Sequence, residues 1–166
     1  DLEALLRSGE PLPLVEKLDV AAQVCRGLAY AHERGIVHRD IKPSNIVFVN
    51  GIPKLADIGL VAQAEATMSF VGTEGFVPPE GPGTAQADIY SLGKVLYELS
   101  TGHDRHQFPE LPTRLESPDE RELLGELNEV LLKACQRNPA ERYQSSAEMH
   151  ADLALLESGR SVVRLR

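Results

Sequence analysis

The chain has 166 residues, 42% of them hydrophobic, which fits one globular domain and excludes a disordered segment. Its 17 basic and 25 acidic residues give a formal net charge of −8, which excludes a general nucleic-acid binder and offers no polybasic membrane anchor. No run approaches the roughly 18 apolar residues of a membrane span, and the first residues do not read as a signal peptide. The two cysteines, Cys25 and Cys135, fall in separate helical patterns and are expected as buried free thiols in a reducing compartment. Asp1 to Leu6 already reads as helix and carries no initiating Met, so the chain is expected to be an excerpt of a longer protein.

Residues 2–7 form a first short helix, broken by Gly9 to Pro13. A long helix is predicted over 14–34, because Leu14, Leu18, Ala21, Cys25, Leu28 and His32 recur at alternating steps of four and three. Gly35 reads as its left-handed cap, and His32 as a satisfied core histidine. A hairpin follows: Ile46–Val49, an Asn50-Gly51 turn whose residues tolerate positive φ, and a returning strand Ile52–Leu55 with Pro53 on an edge. Residues 57–84 are rich in Gly and Pro and predict a long irregular loop, a length that inside a domain signals function. A helix over about 86–100 turns Ile89, Leu92, Leu96 and Leu99 inward while Val95 and Tyr97 occupy other faces, so burial on several sides is expected. Residues 102–120 are turn-rich, and His103, His106 and His150 are expected to be solvated. Helices close the chain near 121–136 and 146–157, the last with a capping box at Ser145 and Glu148. The fold class is mainly α, a helical bundle around a buried central helix with one small β-hairpin.

The chemistry concentrates in His38-Arg39-Asp40-Ile41-Lys42-Pro43-Ser44-Asn45, with Asp57-Ile58-Gly59 beginning twelve residues after Asn45. The hairpin folds the chain back, so Asn45 and Asp57 emerge side by side. An amide oxygen next to a carboxylate is a hard-ligand pair suited to Mg²⁺, which keeps several waters and shares phosphate oxygens. Asp40 supplies a proton acceptor and Lys42 a cation for phosphate charge. Acid, metal ligands and cation together fit phosphoryl transfer, where positioning and electrostatics supply most of the catalysis.

This ordered set resembles the C-terminal lobe of a protein kinase, and the likeness extends over nearly the whole chain. The resemblance implies a lobe over 1–158 with a tail at 159–166, and an N-terminal lobe in cis that these residues do not contain. It implies ATP and Mg²⁺ as cofactors and protein serine or threonine hydroxyls as acceptors. The Lys two residues after the Asp is the serine/threonine pattern. By residue, it makes Asp40 the base, Lys42 a contact to the transferring phosphate, Asn45 and Asp57 the metal ligands, and Val47 a side chain beneath adenine. Asp1 falls where an acidic residue meets ribose. Gly72-Thr73-Glu74-Gly75-Phe76-Val77-Pro78-Pro79-Glu80 resembles the end of an activation segment, in which Thr73 bridges Asp40 and Lys42 and Glu80 pairs with Arg142. Asp88 is expected to hold the catalytic-loop backbone, and His38 to pack against Ile58 as a structural residue. Arg39 before the catalytic Asp implies an activation-loop phosphate at Ser69 or Thr67, received by charge pairing. The stretch Asn138 to Tyr143 is similar to bacterial kinases of the eukaryotic type, many of which carry a membrane tether outside the kinase domain. A cytoplasmic kinase domain is therefore expected.

The chain departs from the family pattern in three places. Ile58 stands for the usual Phe and implies a looser loop switch, Pro78 stands for Ala, and the connection from Glu80 to Asp88 is short, which implies a reshaped peptide shelf. Without a Gly-rich loop, residues 1–166 alone are expected to bind nucleotide weakly and transfer little phosphate. Two other readings stay open: a pseudokinase or scaffold that offers a binding surface, and a kinase-like enzyme acting on a small molecule.

Overall fold

The computed structural model describes residues 1–57, 73–115 and 117–165. Helix α1 spans Leu2–Ser8, with the Asp1 carboxylate accepting the Ala4 amide at its N-terminus. Helix α2 spans Leu14–Glu33, and the predicted stripe from Leu14 to Leu28 is buried along it. A single 3₁₀ turn, Pro43–Asn45, leads into strands β1 (Ile46–Val49) and β2 (Ile52–Leu55). They pair antiparallel with Ile46 opposite Leu55 and Val49 opposite Ile52, and Asn50 and Gly51 between them sit at φ 53° and 78°, as their sequence requires.

Helix α3 (Ala85–Thr101) is the centre of the fold. Thr84 caps its start through Ala87, and eleven of its seventeen residues are buried, which only a helix packed on several sides can do. Helix α4 (Pro118–Ala134) lies against it, and α5 (Ser146–Glu157) packs on α2 and α4. The approach of α4 to α3 is close at Gly93: a Cβ there would stand 2.5 Å from Cys135 Sγ and 3.0 Å from Ala134 Cβ. Cys25 and Cys135 are both buried free thiols, and burial pushes each up to about 12.

Three expectations need correction. Helix α4 begins at Pro118, not near 121, because Ser117 takes the Glu120 amide and proline suits the first helical position; it also ends at Ala134, short of 136. At α5, Ser145 accepts the Glu148 amide as expected, but the Glu148 carboxylate reaches Gln144 rather than Ser145. His103 and His150 are half-buried, His103 standing 3.4 Å from the Tyr97 hydroxyl, so only His106 of the three is an open surface histidine. Among the described residues no helix is long and apolar enough to cross a membrane. The predicted loop over 57–84 is described only at Asp57 and from Thr73 onward, where it consists of turns.

Candidate active site

The loop between α2 and β1 is held open by one buried carboxylate. Asp88, at the start of α3, accepts the backbone amide of His38 at 2.7 Å through Oδ2 and that of Arg39 at 3.0 Å through Oδ1. His32 reaches the same Oδ2 through Nε2 at 2.8 Å, and its Nδ1 meets the Ser146 hydroxyl at 2.8 Å. This row links α2, α3 and α5 beneath the loop. The His32–Ser146 contact has no local sequence signal, because the two residues are 114 positions apart.

His38 is buried and ties the loop to the hairpin. Its Nε2 donates to the Ala56 carbonyl at 2.7 Å, which leaves Nδ1 to accept the Asp40 amide at 3.1 Å. The packing expected against Ile58 lies outside the described residues, as do Ser69 and Thr67. Arg39 takes a left-handed backbone with φ 78°, and Asp57 does the same at φ 62°. Such conformations cost about 1–3 kcal/mol each and persist where the surroundings impose them, which is characteristic of functional sites. The Asp88 bond to the Arg39 amide is one such constraint.

Two groups flank the Asp40 side chain. The Thr73 hydroxyl donates to Oδ1 at 3.1 Å, and Lys42 Nζ stands 3.3 Å from Oδ2. Thr73 thus touches the carboxylate directly, and Lys42 meets the other oxygen of the same group. Asp40 and Lys42 side chains keep 22% and 29% of their exposure, so the carboxylate and ammonium are held yet accessible.

Asn45 donates its Nδ2 to the Asp40 carbonyl at 2.8 Å, which fixes the amide plane and turns Oδ1 the other way. The Ala56 amide donates to the Asn45 carbonyl at 2.8 Å, extending the ladder by one step and placing Asp57 next beyond it. Asp57 is exposed. One amide oxygen and one open carboxylate fit Mg²⁺, which needs few protein ligands when phosphate and water complete its shell. Among the described residues there is no cluster of three or more His, Cys, Asp and Glu, so a closed all-protein metal cage is not built there. Val47 is half-buried on β1 opposite Lys54, and the Asp1 carboxylate is engaged as a helix cap.

Farther from the centre, Arg142 and Glu80 form a two-pronged pair at 2.6 and 3.0 Å. Burial pushes the Glu80 carboxyl up, but the hydrogen bond from Arg142, a backbone bond and the guanidinium charge outweigh it and hold it below its ordinary value.

Comparison with known proteins follows the same lines. A family model described as protein kinase domain matches residues 1–153. Serine/threonine-protein kinase PknB of Mycobacterium leprae is 34% identical over 181 residues, covering 95% of this chain and 29% of that protein. The PknB of Mycolicibacterium smegmatis is 33% identical over 188 residues, covering 96% of this chain and 29% of its own length. Serine/threonine-protein kinase PknL of Mycobacterium tuberculosis is 36% identical over 172 residues, covering 92% of this chain and 43% of its own length. The chain therefore spans less than a third of the PknB proteins.

Proposed function

The chain belongs to the protein kinase family, and from that premise we propose that it is the helical, C-terminal lobe of a kinase that transfers the γ-phosphoryl group of ATP to serine and threonine hydroxyls of protein substrates. The observation that carries this reading is the Asp40 carboxylate, held by Thr73 on one oxygen and Lys42 on the other at the mouth of a loop pinned by Asp88. Bound Mg²⁺ and ATP would supply the phosphoryl group and the charge neutralisation on its oxygens, with Asn45 and Asp57 as ligands. The chain's own part is positioning. Asp40 accepts the proton of the acceptor hydroxyl, and Thr73 keeps that carboxylate turned toward the acceptor. Lys42 places positive charge beside it, where negative charge moves between oxygens. The names of the mycobacterial relatives support serine and threonine as acceptors.

Regulation is part of the same proposal: Arg39 receives an activation-loop phosphate at Ser69 or Thr67. The test of the acceptor class is phosphoamino-acid analysis of products made by the protein that carries this chain, beside its Asp40→Asn variant. Phosphoserine and phosphothreonine that vanish in the variant agree with the reading. Phosphotyrosine alone, or labelling of a small molecule only, contradicts it. A protein that binds partners but transfers nothing favours the scaffold reading.

A further inference from the structure

The segment that carries Thr73 is gripped from outside by a residue of the turn after α3. Residues 73–76 form a tight turn, closed by the Phe76 amide on the Thr73 carbonyl at 3.0 Å. On its inner side, Ser91 of α3 donates to the Phe76 carbonyl at 2.6 Å. On its outer side, Arg105 Nε donates to the Glu74 carbonyl at 2.9 Å while the guanidinium covers the Phe76 ring, 4.4 Å from its centre. Gly75 permits this approach. Its φ is 87°, and a Cβ there would collide with Arg105 Nε and stand 2.7 Å from Cδ.

Arg105 is itself anchored to α3 at two points one turn apart. The Glu98 carboxylate takes its backbone amide at 2.9 Å and lies 3.5 Å from Nη1, and Lys94 Nζ donates to its carbonyl at 3.3 Å. A planar, always-charged group that bonds a carbonyl with one nitrogen, an acid with another, and stacks on a ring is a role lysine cannot fill.

We propose that Arg105 is the positioning residue of the acceptor-side turn 73–76, and that it sets acceptor binding and not nucleotide binding. The proposal rests on the reading of Asp40 as the phosphoryl-transfer base. Arg105 touches neither Asp40 nor the Asn45–Asp57 end of the site; it acts through Glu74 and Phe76 on the turn whose first residue bonds Asp40. Its sequence neighbourhood, residues 102–120, carries turn residues and no motif.

The experiment uses the protein that carries this chain, with Mg-ATP and dephosphorylated casein. Arg105→Ala is expected to raise the KM for casein about five- to tenfold and leave the KM for ATP within about twofold. Hydrogen exchange of the peptide covering 73–80 is expected to accelerate at least tenfold, because the Phe76 amide loses its support. Arg105→Lys keeps the charge but not the Nε–H or the flat stack, and is expected to restore less than half of the loss. Glu98→Gln, which loosens the anchor without removing the arginine, should move both readouts the same way by a smaller factor, and it serves if the alanine variant does not fold. A purely structural role would lower the active fraction and kcat with both KM values unmoved, and that result overturns the proposal. So does unchanged exchange over 73–80. Undiminished transfer by Asp40→Asn would instead overturn the underlying reading of the site, so the two failures are distinguishable.

Discussion

Glu80→Ala would strand a charge that the fold has sealed in. The Arg142 side chain is 0% exposed, and its guanidinium makes five hydrogen bonds: two to Glu80 at 2.6 and 3.0 Å, and three to the carbonyls of Gln136, Gln86 and Arg137 at 2.7, 3.0 and 3.2 Å. Removing the only acid among these partners leaves a buried cation facing carbonyls, a change that costs about 3–5 kcal/mol. Glu80 is 30% exposed, so water can enter the gap and the lower end of that range is expected. Against a total stability of about 5–15 kcal/mol this is a large fraction, and it corresponds to a Tm lowered by about 6–20 °C. Glu80→Gln keeps an acceptor oxygen and should lose only the charge-assisted part, about 1.5–3 kcal/mol. The combined variant Glu80→Ala with Arg142→Met removes the stranded charge as well, and should cost at least about 1 kcal/mol less than the sum of the single changes. Urea denaturation of wild type, Glu80→Ala, Glu80→Gln, Arg142→Met and the combined variant measures all of this. A Glu80→Ala cost below about 1 kcal/mol, or additivity within about 0.5 kcal/mol, would refute the argument that the pair matters because Arg142 is buried.

The same pair predicts a pH dependence. Because Glu80 titrates below its ordinary 4.5 in the folded state, its contribution is present above that value and lost as pH falls through the lower folded value, so the stability gap between wild type and Glu80→Gln should narrow on acidification. A gap that widens below pH 4.5 would reverse the sign. Gly93→Ala should cost about 1–3 kcal/mol by overpacking, and adding Cys135→Ala should recover part of it, since Sγ is the nearest atom to the new methyl; an unaltered Tm for Gly93→Ala argues against so close an α3–α4 contact. Cys25 and Cys135, both raised to about 12 and buried, should resist iodoacetamide in the native state and react after unfolding. Rapid native labelling of either would contradict that burial.

What could be read in advance depended on how local the determining contacts are. The hairpin was legible because Asn50-Gly51 specifies its own turn, and with it the return of Ala56, the residue before Asp57, to Asn45. Helix α2 was legible from its stripe, and α3 from apolar residues on several faces. The start of α4 was misplaced because its apolar pattern begins after the first turn, while the true signal is the Ser117-Pro118 cap. The pairings of Asp88 with the loop and of Glu80 with Arg142 were expected through family resemblance, because no local pattern connects residues that far apart. The His32–Ser146 and Arg105–Glu74 contacts had neither a local pattern nor a family motif to reveal them. Helix-cap rules placed Ser145 correctly but not the partner of Glu148, since a flexible carboxylate chooses among neighbouring amides.

The proposed function turns on Asp40 as the proton acceptor in phosphoryl transfer. Its most direct measurement is the single-turnover rate of phosphate transfer from Mg-ATP by Asp40→Asn in the protein that carries this chain, with nucleotide affinity measured in parallel. Asparagine preserves the size of the side chain and one acceptor oxygen but removes the base. The expected result is a rate lowered about 10²–10⁴-fold with nucleotide affinity nearly unchanged. A rate within about threefold of wild type would show that Asp40 is not the proton acceptor.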